Sequence, residues 1–263
     1  MIRLENIRKK LSHRGKTTIV AAPDITVADG GCAGLIGPNG VGKTTLLRIA
    51  AGVIQIDAGC VAIDRPLIAF TDIERQLKHR LLPHENIQYL AALFAMETVG
   101  KSAIGDCLDR VGLAERKNSF IGKLSKGQKT RLVMAVIMAC PSVRSIVLDE
   151  PTNGLDMNGE QLVRQTMAEA MARGVSVLIS SHNLTLIQTV CEKIYAGDKN
   201  AGTAEHVFVR YDKTSATLTR GFNVSLHDGS DHIVQKNELV AFMKSHLDTI
   251  ENISPGGIEI ERS

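Results

Sequence analysis

Three short stretches of this chain hold the residue types and spacings that polyphosphate chemistry needs. Gly37-Pro38-Asn39-Gly40-Val41-Gly42-Lys43-Thr44 has the form G-x-x-x-x-G-K-[ST], with Thr45 directly after it. Its glycines let backbone N–H groups curl round phosphate oxygens with no Cβ in the way, and a helix N-terminus behind them adds a favourable dipole. Lys43 then reaches the β- and γ-phosphates, and the Thr44 hydroxyl ligates Mg²⁺. In Ser145-Ile146-Val147-Leu148-Asp149-Glu150 an apolar run delivers two carboxylates. The C-terminal end of such a strand is where an open α/β sheet places its chemistry. Asp149 there holds Mg²⁺ through water, and Glu150 polarises an attacking water. The third stretch, Leu124-Ser125-Lys126-Gly127-Gln128, stands before a long apolar helix and 20 residues before the acidic strand. Ser125 and the backbone at Gly127 open that helix, which makes a second phosphate-binding N-terminus.

These groups need a scaffold, and the apolar pattern predicts one. Residues 2–7 and roughly 24–36 read as short strands with turns at Gly30 and Gly31; the second leads into the glycine loop and a helix from Thr44 to about Ala51, closed by Gly52. Strand, phosphate loop and helix follow in the order of a P-loop fold. Another strand is expected at Gly59–Asp64. Helical periodicity at 85–97, 101–112 and 127–140 then interrupts the alternation, as an inserted helical subdomain over about 75–140 would. Strand 145–149, helix 158–173, strand 175–180 and helix 183–193 resume it, implying a parallel sheet covered on both faces. Composition shifts after residue 198. Residues 199–263 are expected to form a small α+β appendage of short strands with a helix near 236–248, so that 1–198 is the main domain.

Leu124–Gln128 resembles the L-S-G-G-Q signature of ATP-binding-cassette proteins, with Lys126 in place of the first glycine. The resemblance covers roughly residues 1–195. Asn153-Gly154-Leu155-Asp156 resembles that family's D-loop, which crosses a dimer interface, and His182, after the apolar VSVLIS run, resembles its switch histidine at the γ-phosphate. The resemblance implies a P-loop NTPase of mostly parallel sheet, with an N-terminal antiparallel β-subdomain and the helical insert. It also implies that ATP and Mg²⁺ are bound and hydrolysed with Lys43, Glu150 and His182 as the catalytic groups, while Ser125, Lys126, Gly127 and Gln128 face the nucleotide of a second copy. Phosphoryl transfer to water needs charge neutralised on several sides, so a second subunit, expected to be identical, completes the site.

The sequence departs from the pattern in two places. Where the family carries an aromatic residue that stacks on adenine, this chain has Leu11, with His13 the nearby ring, which leaves ATP-versus-GTP discrimination open. Ungapped matching places Ile73 at the position of a conserved metal-contacting glutamine; Gln76 in a rearranged loop, or Asp72 or Glu74 as carboxylate replacements, are the alternatives. Lys9, Lys10, Arg14 and Lys16 form a basic cluster read as a solvated turn near the nucleotide.

The 263 residues carry 31 Lys and Arg against 28 Asp and Glu, too even a balance to imply nucleic acid. Five scattered cysteines with no C-x-x-C pair argue against a disulfide framework or zinc site and fit buried thiols in a reducing cytoplasm. The N-terminus lacks a secretory pattern and no segment reaches about 18 uninterrupted apolar residues, so a membrane role is expected to run through a partner. The leading expectation is the ATPase subunit of an ABC transporter at the cytoplasmic face of the membrane, driving a separate permease. The 82 positions between Lys43 and Ser125 make a compact insert that favours an exporter. A cytosolic assembly ATPase of the iron–sulfur type and a nucleotide sensor with weak hydrolysis stand as alternatives.

Overall fold

In chain order the elements are β1 (Ile2–His13), β2 (Lys16–Ala21), β3 (Ile25–Val27), β4 (Cys32–Ile36), α1 (Lys43–Ala50), β5 (Ala58–Ile63), β6 (Leu67–Phe70), α2 (Ile73–Gln76), α3 (Pro83–Leu93), α4 (Lys101–Arg110), α5 (Lys126–Ala139), β7 (Ser145–Asp149), α6 (Met157–Ala172), β8 (Ser176–Ser180), α7 (Leu184–Val190), β9 (Lys193–Lys199), β10 (Glu205–Asp212), β11 (Ala216–Leu226), β12 (Asp231–Gln235) and β13 (Ile250–Arg262). They come from a computed structural model that describes residues 1–13, 16–94, 99–199, 205–212, 216–226, 231–235 and 250–262.

Strands β4, β6 and β8 are buried at every position, and β7 at all but Asp149. Strands with no wet face must be covered on both sides. They pair in parallel, β4 with β8, β8 with β7 and β7 with β6. Side chains alternate between two cores, as the two-residue period of a strand requires. Ile146, Leu148, Val177 and Ile179 join a core with Leu132 and Val136 of α5 and Val163 and Met167 of α6. Val147 and Leu178 point the other way, into a core with Leu46 and Leu47 of α1 and Ile2 and Leu4 of β1. The phosphate loop leaves the end of β4, Asp149 and Glu150 the end of β7, and His182 follows the end of β8. Because β4, β8 and β7 are adjacent and point the same way, these three groups meet at one edge.

The N-terminal strands form the expected antiparallel layer, β1 pairing with β2, β3 and β5. The basic stretch is not a solvated turn over most of its length. Lys9 and Lys10 lie in β1, which runs on to His13 and pairs with β2 as a hairpin. Lys9 Nζ is held 2.7 Å from Asp57 Oδ1. Arg14 lies outside the described residues.

Three further differences from the sequence reading concern boundaries. The helix expected over 183–193 ends at Val190, because β9 begins at Lys193 and pairs in parallel with β4, burying Ile194 and Tyr195. Strand β6, four residues long, carries no alternation that periodicity could register. The sheet also continues past the boundary drawn at 198. Strand β10 lies between β9 and β2, and its Phe208 is buried in the core shared with α1. Beyond it β11, β12 and β13 form a separate three-stranded antiparallel sheet in the order β12-β11-β13. The helix expected near 236–248 lies outside the described residues.

Candidate nucleotide site

The loop after β4 needs its glycines for conformation as well as for access. Gly37, Gly40 and Gly42 have φ of 134°, 78° and 109°, a region that side chains disfavour. Gly42 caps α1, and a Cβ there would sit 2.8 Å from both methyls of Val20. A Cβ on Gly37 would meet the Gly197 carbonyl of β9 at 2.6 Å. The loop is thus clamped between the hairpin and β9.

Lys43 opens α1 and is buried, its Nζ donating to the Gly37 carbonyl at 2.7 Å and the Pro38 carbonyl at 3.3 Å. One turn of loop therefore curls round its own ammonium group. Thr44 Oγ1 donates to Asp149 Oδ2 at 2.6 Å, and Ser180 Oγ of β8 donates to Asp149 Oδ1. Both oxygens of that carboxylate are fixed from neighbouring elements. A hydroxyl and a carboxylate converging beside a phosphate loop form the hard oxygen set that suits Mg²⁺.

Glu150 follows with φ of 48°, in the left-handed region that a non-glycine residue enters at a cost, typically at functional sites. Its N–H reaches both the carbonyl and the hydroxyl of Ser180 at 3.1 Å, which holds the turn. Its Oε2 accepts the His182 N–H at 3.0 Å, while Oε1 is buried without a hydrogen bond. His182 Nε2 stands 3.2 Å from that Oε1, an ion pair when the ring is protonated, and lies 3.0 Å from Asn39 Oδ1 and 3.4 Å from Lys43 Nζ. The histidine joins the loops after β4, β7 and β8.

These side chains line a cleft of about 590 Å³ whose walls include Asn39, Gly40, Gly42, Lys43, Thr44, Thr45, Asp149, Glu150 and His182. Leu11, Thr18 and Val20 of the hairpin form its other wall. Leu11 is therefore at the cleft, as the sequence suggests. Thr18, Val20 and Ser180 were not foreseen. The first two could have been found only by recognising the hairpin that sets Leu11 opposite Thr18.

The other expected contacts lie elsewhere. Ser125 caps α5, accepting from Gln128 N at 3.2 Å while Gln128 Oε1 accepts from Ser125 N at 3.0 Å. This capping box leaves the amides of Lys126 and Gly127 at the exposed helix end. Lys126 lies beside Gly154, and Gly127 faces the Gly154 carbonyl and Leu155. None of these four lines the cleft. Asp156 caps α6 through Gly159 N at 2.7 Å and pairs with Arg131 of α5 at 3.1 Å. The Gly159 N–H, and then the Arg131 charge, hold its carboxyl below the usual range.

Neither do the candidates for the missing glutamine reach the cleft. Ile73 packs against the larger core. Gln76 folds back on the end of β6, accepting from the Thr71 and Asp72 amides at 2.9 Å and donating to the Ala69 carbonyl at 2.7 Å. Asp72 caps α2, and Glu74 meets Lys129 of α5 at 2.6 Å. Each has a partner within the chain, so neither carboxylate is shown toward a metal.

The family sequence model described as ABC transporter matches residues 20–153, from the hairpin through the phosphate loop and signature to the acidic strand. This chain belongs to the ABC transporter family. The cassette is similar to the Nod factor export ATP-binding protein I of Burkholderia lata, 30% identical over 92% of this chain and 81% of that protein. It is also similar to the lantibiotic transport ATP-binding protein SrtF of Streptococcus pyogenes, 30% identical over 74% of this chain and 85% of the relative. Among solved structures, a bacterial ABC transporter cassette determined as a dimer shares the fold with a TM-score of 0.65, at 21% identity over 74% of this chain and 94% of that one. The protein is an ATP-binding and ATP-hydrolysing subunit of an ABC transporter, its hydrolysis coupled to transport. Subunits of this kind dimerise and act with membrane permeases. The assembly and sensor alternatives are not favoured, since the relatives are transport subunits. Among the described residues no helix is long and apolar enough to cross a membrane.

Proposed function

We propose that two copies of this chain close on two ATP molecules, each held between the phosphate loop of one copy and the Ser125–Gln128 helix start of the other. The observation that carries this reading is the division of the phosphate-binding groups. Lys43, Thr44, Glu150 and His182 share one cleft, while the helix start with exposed Lys126 and half-buried Gly127 lies outside it. A second copy brings the two halves together. The loop 153–156, touching both Lys126 and α6, lies at that interface.

In the closed pair, the loop amides and Lys43 neutralise the β- and γ-phosphates, and Leu11 lies against the nucleoside. Thr44 and Asp149 would hold Mg²⁺, which would supply further charge neutralisation at the phosphates. Glu150 keeps one oxygen unbonded to accept a proton from water, whose oxygen attacks the γ-phosphorus as the bond to the β–γ bridging oxygen breaks. His182 keeps Glu150, Asn39 and Lys43 in register. The products, ADP and phosphate, repel one another and loosen the pair, and a separate permease at the cytoplasmic face converts that cycle into movement of cargo. Export is the direction favoured by relatives that are named for export and lantibiotic transport.

Phosphate release by the purified chain tests this reading. The rate per chain rises with protein concentration, and Lys43→Ala and Glu150→Gln each lower it by roughly 10²-fold or more. Glu150→Gln runs as a dimer with ATP and as a monomer without it. An ATP-loaded Glu150→Gln variant that stays monomeric would sink the two-copy site.

A further inference from the structure

Ser125–Gln128 can meet a second copy's nucleotide only if the start of α5 is held at a fixed angle to the core sheet. Two cations just beyond it, Lys129 and Arg131, are each paired with a carboxylate outside α5. Lys129 Nζ lies 2.6 Å from Glu74 Oε2 of α2, and Arg131 Nη2 lies 3.1 Å from Asp156 Oδ1. The two anchors leave neighbouring strands. Glu74 follows the end of β6 and Asp156 the end of β7, and these strands pair in parallel. The helix start is therefore tied to the same sheet edge that carries Asp149 and Glu150.

The two ties are unequal. The Lys129 side chain is 9% exposed, whereas Asp156 is 67% exposed. An exposed ion pair is screened and contributes little, but a buried ammonium that loses its carboxylate is strongly penalised. Lys129 also stands one turn into α5, where the helix dipole gives a cation no stabilisation. Helix stability alone gives no reason for a buried lysine there. Glu74 belongs to a firmly seated element. Ile73 beside it packs into the larger core, Asp72 caps α2, and Gln76 fastens α2 to the end of β6. The other group near this carboxylate is His79, its Nε2 3.6 Å from Glu74 Oε2.

We propose that Glu74 and Lys129 are a positioning pair, the carboxylate on α2 setting the angle at which the start of α5 is presented to the second copy's nucleotide. Neither residue touches that nucleotide. This rests on the two-copy site and adds which residues aim its second half. The element that carries Ile73 thus serves the start of α5.

Sizing of the full chain carrying Glu150→Gln, with ATP and at graded protein concentration, tests it. Calorimetry with ADP and thermal melting run alongside. Lys129→Met in that background keeps an aliphatic stem, leaves no buried charge and frees Glu74 to water. ADP affinity should stay within about twofold and melting within a few degrees, while pairing needs about tenfold more protein. Glu74→Gln, at a half-exposed position, should act in the same direction and carries the test if Lys129→Met does not fold. The double variant should lose no more than the worse single one, because each already breaks the same pair.

A Lys129→Met protein that pairs at the concentration sufficient for Glu150→Gln alone would overturn the inference and leave the two-copy site in place. Additive losses in the double variant would also overturn it. So would losses of ADP affinity and melting temperature in step with pairing, which would make Lys129 a support of the whole fold. If Glu150→Gln alone stays monomeric with ATP, the two-copy site falls and this inference with it.

Discussion

The phosphate end and the nucleoside end of the cleft differ in how firmly each group is held. At the phosphate end nearly every side chain is tied twice. Asp149 takes hydrogen bonds from Thr44 and Ser180, Lys43 is gripped by two carbonyls, and His182 touches three loops. At the nucleoside end the paired strands β1 and β2 present Leu11 and Thr18, with no such side-chain network among the described residues. Charge redistributes at the γ-phosphate during hydrolysis, and fixed dipoles act there without reorganising. Nothing happens to the base, so that end can be looser. Rigidity in this molecule follows where charge moves.

The two ends meet at Gly42, and the largest effect is expected there. Gly42→Ala puts a methyl into backbone at φ 109° and 2.8 Å from both Val20 methyls. Backbone strain of this kind costs about 1–3 kcal/mol, and relief requires the loop or the hairpin to shift. The variant should melt several degrees lower and bind ADP at least tenfold more weakly. A Gly42→Ala/Val20→Ala double variant sharpens the point. Partial recovery of binding assigns the loss to contact between the two ends, whereas no recovery assigns it to the phosphate loop alone.

Next in size is Ser180→Ala, which confines damage to the phosphate end. It removes the donor to Asp149 Oδ1 and one of the two acceptors for the Glu150 amide. Hydrogen bonds to a charged group contribute about 1.5–3 kcal/mol, so kcat should fall roughly tenfold to a hundredfold and the Mg²⁺ requirement should rise. ADP binding without metal should barely move. Equal losses in kcat and in metal-free binding would mean that Ser180 supports the whole cleft, and the contrast between its ends would fail.

The phosphate end was legible in the sequence and the nucleoside end was not. Gly37–Thr44, Asp149, Glu150 and His182 announce themselves because phosphate chemistry restricts residue type at fixed short spacing, on strands whose apolar runs are unmistakable. Ser180 escaped notice because its role depends on β8 lying beside β7, a fact of sheet order. Thr18 and Val20 escaped because β2 is six residues rich in Lys and Thr, of which only Val20 is fully buried, too short a run to mark its period. Strand β9 was hidden by the polar ends of a seven-residue segment, and Phe208 by a core contribution arriving after a change in composition. The separation of the signature residues from the cleft was expected from the family resemblance, not from the periodicity of one chain.

The smallest effect is the most discriminating for the nucleoside end. Thr18→Val keeps the shape of a half-buried β-branched side chain and deletes only the hydroxyl. A hydroxyl that turns freely to suit either purine contributes about equally to both, so the ADP-to-GDP affinity ratio should change less than about threefold, within the roughly 0.5–1.5 kcal/mol that one neutral hydrogen bond is worth. The melting temperature should hold within a degree or two. A hydroxyl locked in one direction would behave differently. Deleting it would leave one base's edge group unpaired and move the ratio by tenfold or more. Calorimetry on this one variant therefore separates an end that merely touches the base from an end that reads it.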